Sequence, residues 1–186
     1  FSTLIGKLPS KQIVFVNASS SSGPFVEALS APGRTIVTAT RNAAEQYVTL
    51  FGGYFVDALT SDAADADKNK RISVLEAFNH ARTEVARAYE QRGLLATEHA
   101  LLDDDGDKTG SQTPGQAGKD GKPSTDGRVA SIVSFGVAGD DLPTDPKLRA
   151  LYLERRQLEQ QLAQLPLLKG SMDPARYAKE LESVGV

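Results

Sequence analysis

The sequence contains no cysteine, and this absence removes several classes of protein at once. Disulfide scaffolds, metal sites with thiolate ligands and cysteine nucleophiles are all excluded. The absence leaves the cellular compartment open, since many bacterial extracytoplasmic proteins also lack cysteine. We favour a periplasmic or secreted location over a cytoplasmic one.

The chain also has little net charge and no long hydrophobic run. Its formal net charge is −3 at pH 7, so there is no broad basic surface to attract nucleic acid. No apolar stretch approaches the roughly 18–20 residues that cross a bilayer, so no membrane span is predicted. No signal-peptide pattern is present, and a start at Phe1 without an initiator Met indicates a fragment or a processed product.

The remaining composition is that of an ordinary globular protein, with 40% hydrophobic and 24% charged residues. A length of 186 residues suffices for one domain with a core and an appendage. Strand-like and helix-like patterns alternate, which predicts an α/β fold with a mostly parallel sheet. The predicted elements are strands at Gln12–Val16, Arg34–Thr40 and Arg128–Phe135 and helices at Phe25–Leu29, Tyr54–Leu59 and Ser73–Arg92. Three strands are few for a stable sheet, so we expect partner strands from an upstream segment or another chain.

The character of the sequence changes after residue 140, which divides the chain into an α/β portion, 1–140, and a helical hairpin, 141–186. Asp145-Pro146 has the form of an N-cap and first-turn proline, and Pro166 is predicted to stop this first helix. Asp173-Pro174 begins the second helix. Apolar residues recur at helical spacing on both, namely Leu148, Leu151, Leu158, Leu162 and Leu165, then Tyr177, Leu181 and Val184. The hairpin, residues 145–182, either packs on its own domain or binds a protein or peptide partner.

The segment 65–76 has the spacing of a calcium loop of the EF-hand type, in which oxygen ligands stand at positions 1, 3, 5, 7, 9 and 12. The corresponding residues are Asp65, Asp67, Asn69, Arg71 (through its carbonyl), Ser73 and Glu76. The departure is Lys70 at position 6, where glycine normally takes a positive φ and another residue costs about 1 kcal/mol. The alternative is an acidic first turn that caps the following helix. A single loop of this kind suggests structural stapling rather than calcium sensing.

A second acidic run precedes a segment rich in Gly, Asp and Ser, residues 104–127, which we predict to be a long flexible surface loop. Asp103, Asp105 and Asp107 alternate around a glycine turn and form a second candidate metal site. The alternative is that these carboxylates are simply solvated.

The serine-rich segment 17–23 follows the first strand, where ligands usually bind in open α/β sheets. Backbone N–H groups of Ser22 and Gly23 are candidates for an anion or oxyanion hole. A serine nucleophile needs a base within hydrogen-bond reach, and the chain has two histidines. We expect both His80 and His99 to be structural, and a Gly-x-Ser-x-Gly elbow is absent.

Several segments, taken in order, resemble caspase/legumain-like cysteine peptidases, in which an apolar strand runs into Ala-Cys-x-Ser-Gly. The segments are QIVFVNASSSSGPF (12–25), RTIVTATRNAAEQY (34–47), FGGYFVDAL (51–59), the calcium-type loop and LLATEHALLDDDGD (94–107). With the C-terminal hairpin, the resemblance to bacterial members covers about residues 7–182. It implies the C-terminal portion of a caspase-like α/β/α sandwich with an appended hairpin.

The resemblance places the family's cysteine at Ser19, within one or two positions, and substrate-side contacts at Thr40, Arg41 and Asn42. The family's catalytic histidine precedes this strand and would lie before Phe1. Serine in place of cysteine makes thiolate chemistry impossible and gives a far poorer nucleophile.

We therefore expect a degenerate, non-catalytic peptidase-fold module, stabilised by calcium and acting in binding or assembly. One alternative is a peptidase, either active or engineered from Cys to Ser, whose histidine lies upstream. The other is a structural calcium-dependent surface protein that oligomerises through its hairpin.

Overall fold

The computed structural model describes residues 1–8, 10, 12–116, 124–135 and 145–168. The chain divides into two compact units, residues 1–135 and 136–186. The first unit contains α1 (Ser2–Ile5), β1 (Ile13–Asn17), α2 (Pro24–Leu29), β2 (Arg34–Thr38), α3 (Phe51–Ala58), β3 (Ile72–Ser73), α4 (Val74–Gln91), β4 (Leu101–Asp103) and β5 (Ser134–Phe135). The predicted α/β class is confirmed at this level.

The main sheet has the strand order β1-β2-β4. β1 and β2 are parallel in the register Ile13↔Arg34 to Asn17↔Thr38, and α2 forms the crossover between them. β4 pairs with β2 in the antiparallel direction, with Leu102 opposite Val37. In the described residues the sheet thus has one parallel and one antiparallel pair, so the expectation of a mostly parallel sheet is not met there. β4 was missed because three residues carry too little alternation to be distinguished from a loop.

The strand predicted at residues 128–135 is wrong over most of its length. Ile132 and Val133 both donate their backbone N–H to the Val129 carbonyl at 3.0 Å, which is a turn and not a strand. The side chain of Asp104 accepts the backbone N–H groups of Gly127 at 2.9 Å and Ala130 at 2.7 Å, and so holds the turn in place. Only β5 is extended, and it pairs with β3 in a separate two-stranded sheet.

The core lies on both faces of the main sheet. Successive strand residues point to opposite faces. Ile36 packs in a cluster with Val26 and Leu29 of α2, whereas Val37 packs with Phe51 of α3 and Phe78 of α4. Helices therefore cover the sheet on each side.

α4 is the helix that the sequence predicted best. Its buried stripe contains Val74, Phe78, Ala81, Val85 and Ala88, and the helix lies within the predicted bounds Ser73–Arg92. α4 ends at Gln91 with Arg92 as its C-cap, and Gly93 follows with φ +62°. The N–H groups of Gly93 and Leu94 bond to carbonyls of the last turn, which is a Schellman cap with glycine at C′.

The second unit contains α5 (Pro146–Leu168). Asp145 caps it, because its Oδ1 accepts the N–H groups of Lys147 and Leu148 at 2.9 Å each. The helix continues through Pro166 to Leu168 instead of stopping there. Pro166 lies in the last turn, so its missing N–H and the crowding by its ring affect only the end of the helix. The predicted second helix, from Asp173 with Tyr177, Leu181 and Val184, lies outside the described residues. Within the described residues, no helix is long and apolar enough to span a bilayer.

Candidate metal centre

The loop 65–76 connects α3 to α4 and brings three carboxylates together. Oxygen atoms of Asp65, Asp67 and Glu76 all lie within 4.8 Å of one another. Oxygens that share one calcium ion at about 2.3–2.6 Å are separated by at most about 5 Å, so the spacing suits that ion. The predicted positions 1, 3 and 12 thus converge.

The backbone of the loop is wound around the carboxylate of Asp65. Its Oδ1 accepts the N–H of Asn69 at 3.0 Å, and its Oδ2 accepts the N–H of Lys70 at 2.9 Å. Lys70 has φ +62°, the left-handed conformation that glycine adopts at this position in a calcium loop. The loop therefore keeps the EF-hand turn at position 6 without the glycine.

Glu76 takes part in both roles that the sequence left open. Its Oε2 accepts the N–H and the hydroxyl of Ser73 at 2.8 Å each, and Ser73 Oγ accepts the N–H of Glu76 at 3.1 Å. This is a capping box at the start of α4. Glu76 Oε1 also accepts the N–H of Ala66 at 2.9 Å, which ties the start of the loop to the helix. The cap and the carboxylate cluster share this one side chain.

The side chains of the other predicted ligand residues, Asn69, Arg71 and Ser73, hydrogen-bond to other groups of the chain. Asn69 Oδ1 accepts the N–H of Arg71 at 2.8 Å, and the Arg71 side chain bonds to Ser134 of β5. Ser73 is buried as the helix cap, and its strand β3 pairs with β5. The loop is thereby fixed to a neighbouring segment of the chain.

A second carboxylate group forms at the end of β4. Oxygens of Asp103, Asp105 and Asp126 lie within 4.8 Å of one another. Asp107, predicted as the third ligand, is exposed and outside this group, because its Oδ1 accepts the N–H of Thr109 at 2.6 Å. Asp126 replaces it. Asp126 lies 19 residues beyond Asp107, where the acidic run ends, and no local pattern marked it.

Of the three carboxylates predicted from the sequence, Asp105 and Asp107 are exposed, as the solvated alternative expects, whereas Asp103 is buried. Asp103 is 0% exposed, Asp104 5% and Asp126 4%, whereas Asp105 is exposed. Burial raises the pKa of Asp126 to about 8, and the neighbouring carboxylates of Asp105, Asp104 and Asp103 add to the rise. Burial also raises the pKa of Asp103 and of Asp104, while hydrogen bonds partly oppose both shifts. The described ends of the predicted loop 104–127 therefore carry buried carboxyl groups.

The serine-rich segment packs tightly against the loop that follows β2. Ser22 Oγ lies 3.1 Å from Thr40 Oγ1, and the N–H of Gly23 donates to Thr40 Oγ1 at 3.1 Å. Ser22 and Thr40 are both fully buried. The Gly23 N–H, a predicted oxyanion donor, is thus already used. Ser19 Oγ donates to Asn17 Oδ1 at 2.7 Å.

Of the predicted substrate-side residues, Arg41 contacts a buried carboxylate, that of Glu45. Glu45 Oε1 lies 2.9 Å from Arg41 Nε and 2.6 Å from His99 Nδ1, and its Oε2 accepts the N–H groups of both residues at 3.0 Å. Thr40 is enclosed, Arg41 is half-exposed on this carboxylate, and Asn42 Oδ1 accepts the N–H of Ala44 at 2.9 Å. This arrangement joins two loops and gives His99 a structural partner. Glu45 was not expected from the sequence.

Comparison with protein-family models, curated proteins and solved structures found no match to this chain.

Proposed function

We propose that this chain is a calcium-binding α/β module in which the loop 65–76 holds the ion. The observation that supports this most directly is the convergence of Asp65, Asp67 and Glu76 in the order and spacing of an EF-hand loop. All three side chains offer carboxylate oxygens, which hard cations prefer. The left-handed turn at Lys70 adds a second feature of such loops.

The position of the loop favours a structural role for the ion. It joins the end of α3 to the start of α4, and both helices contribute to the larger core cluster. It also pairs with β5 through Ile72 and Ser73. An ion that binds only the folded loop stabilises the whole unit by mass action.

We further propose that the module is a degenerate, non-catalytic member of the caspase/legumain-like peptidase fold that acts in binding or assembly. Support comes from the parallel β1-β2 pair, with the serine-rich segment at the C-terminal end of β1 against the loop after β2. The hydroxyl of Ser19 is bonded to Asn17, which is not a base. Within the described residues, no histidine is hydrogen-bonded to Ser19.

Calcium binding is tested by titration calorimetry and by thermal melting of the chain in chelator and in calcium. We expect calorimetry to give a saturable binding isotherm. We also expect the melting temperature to rise with calcium and to fall again on chelation. Asp67→Asn should lose the response of this loop, whereas Asp62→Asn, an exposed acid outside the carboxylate group, should retain it. A wild-type melt that ignores calcium contradicts the proposal.

The absence of catalysis is tested with a peptide panel. We expect no hydrolysis by the wild type above the level of Ser19→Ala. Hydrolysis by the wild type that disappears in Ser19→Ala would instead establish an active serine peptidase.

A further inference from the structure

We propose that a second hard divalent cation binds at the end of β4, held by Asp103, Asp105 and Asp126. This site is separate from the loop 65–76, and no residue is shared between the two carboxylate groups. The proposal does not depend on the first site being occupied.

The geometry of the three carboxylates allows them to share one ion. Asp103 and Asp105 lie two residues apart at the end of β4, and Asp126 comes from the segment after residue 123. Their oxygens lie within 4.8 Å of one another, which allows a single ion at about 2.3–2.6 Å from each. An all-oxygen set of this kind selects Ca²⁺ or Mg²⁺ over softer metals.

One carboxylate oxygen of Asp103 is buried without a hydrogen-bond partner among the described residues. Asp103 is 0% exposed, and its Oδ2 has no hydrogen-bond partner among the described residues. The N–H of Gly106 donates to the other oxygen, Oδ1, at 3.2 Å, and the Ser30 side chain also hydrogen-bonds this carboxyl group, while Oδ2 stays without a partner among the described residues. Buried carboxylate oxygens are normally hydrogen-bonded or bound to metal.

Other buried carboxylates of the chain show that this is not a general feature of the fold. Glu98 is 5% exposed, and its oxygens accept the N–H groups of Leu50 and Phe51 at the start of α3. Asp104, also buried, accepts from Gly127 and Ala130. Both acids have backbone partners for their charge, whereas Asp103 Oδ2 does not.

Basic side chains in the described part of the chain do not pair with the three acids. Within the described residues, no lysine, arginine or histidine forms an ion pair with any of the three acids. Asp104 lies beside them and brings a fourth carboxylate into the same buried region. A divalent cation supplies the opposite charge that buried carboxylates require.

Asp104 has a different role from its neighbours. By holding the N–H groups of Gly127 and Ala130, it fixes the segment that carries Asp126. Asp104 is therefore a positioning residue, and the N–H of Asp104 donates to Asp126 Oδ1 at 3.2 Å. The ion would join the end of β4 to the segment that leads into β5.

The test measures ion stoichiometry by calorimetry with Ca²⁺ and, separately, with Mg²⁺. The wild type should bind two calcium ions, and both Asp105→Asn and Asp126→Asn should bind one. Asp105 is exposed, so its substitution does not threaten folding, and Asp107→Asn is the matched control that should still bind two. Asp67→Asn, which removes the other site, should keep the ion at Asp103, Asp105 and Asp126.

A second measurement separates a metal site from a merely structural cluster. In chelator, Asp126→Asn should melt at a higher temperature than the wild type, because an acidic group is no longer buried beside other carboxylates. In saturating calcium the order should reverse. The proposal is overturned if Asp105→Asn and Asp126→Asn keep the wild-type stoichiometry. It is also overturned if the wild type melts below Asp126→Asn even in saturating calcium. The proposal is also overturned if Asp67→Asn binds no calcium at all, because the loop 65–76 is then the only site that the experiment detects.

Discussion

Replacement of Glu76 by glutamine separates helix capping from ion binding, because this side chain belongs to both. Glu76 accepts the N–H and hydroxyl of Ser73 and the N–H of Ala66. Glutamine keeps one acceptor oxygen and turns an NH₂ group toward donors on the other side. Loss of a cap costs roughly 1–2 kcal/mol. At about 2–4 °C per kcal/mol for a chain of this size, Glu76→Gln should melt about 2–8 °C lower in chelator.

The calcium response is the second part of the prediction. An ion present at 100 times its dissociation constant stabilises the folded state by about 2.7 kcal/mol, or roughly 5–11 °C. Glu76 provides the bidentate ligand at position 12, so Glu76→Gln should lose the part of this gain that comes from the loop.

Asp67→Asn is the matched comparison, since Asp67 is an exposed member of the same carboxylate group. Asparagine can still accept the N–H of Asn69, so Asp67→Asn should melt within about 1 °C of the wild type in chelator, as expected for surface substitutions. It should nevertheless lose the calcium gain of the loop. Differential scanning calorimetry of the three proteins, with and without calcium, gives both quantities. The reasoning is refuted if Glu76→Gln loses stability in chelator while both variants keep the full calcium gain, because the loop is then only a cap.

Three further perturbations test other parts of the structure. Lys70→Gly removes a non-glycine residue at φ +62° and should stabilise the folded chain in chelator by up to about 1 kcal/mol. The conformational freedom of glycine in the unfolded chain offsets part of this gain. A lower melting temperature for Lys70→Gly contradicts this prediction. The pKa of Asp126 rises from 3.8 to about 8 on folding, so the folded state holds a proton that the unfolded state releases, and stability in chelator should fall as pH rises from 4 to 8. Urea unfolding of the wild type and Asp126→Asn at pH 5 and 8 measures this, and the stability difference between them should shrink at pH 5. A Cβ at Gly23 would lie 2.2 Å from the carbonyl carbon of Arg41, so Gly23→Ala should destabilise by about 1–3 kcal/mol. At Gly53 in helix α3 a Cβ would meet nothing within 4 Å, so Gly53→Ala should stabilise the folded chain by about 0.5–1 kcal/mol. Equal changes in stability for Gly23→Ala and Gly53→Ala would contradict the close packing at Gly23.

Elements with a long or sharply bounded pattern could be predicted from the sequence. α4 has a buried stripe over five turns, a serine at its start and a glycine after its end, and each of these features acts locally. The parallel pair β1-β2 was also expected, because a short apolar run on each side of a helical segment requires a crossover.

Short strands could not be predicted, because their partners are distant in sequence. β4 is three residues long and exists through its pairing with β2, more than sixty residues earlier. Residues 128–133 have the composition of a strand, but the carboxylate of Asp104 accepts the N–H of Ala130, and the N–H groups of Ile132 and Val133 bond to the Val129 carbonyl. Composition in such segments does not decide between strand and turn.

For the candidate sites, the sequence by itself determined the loop 65–76, since its three converging carboxylates lie within twelve residues and the spacing alone sets which side chains meet. Only the tertiary structure decided the second group, in which Asp126 replaces Asp107. The physical reason is that a turn brings together residues a few positions apart, whereas the burial of Asp103 and its meeting with Asp126 depend on how the whole chain packs around β4.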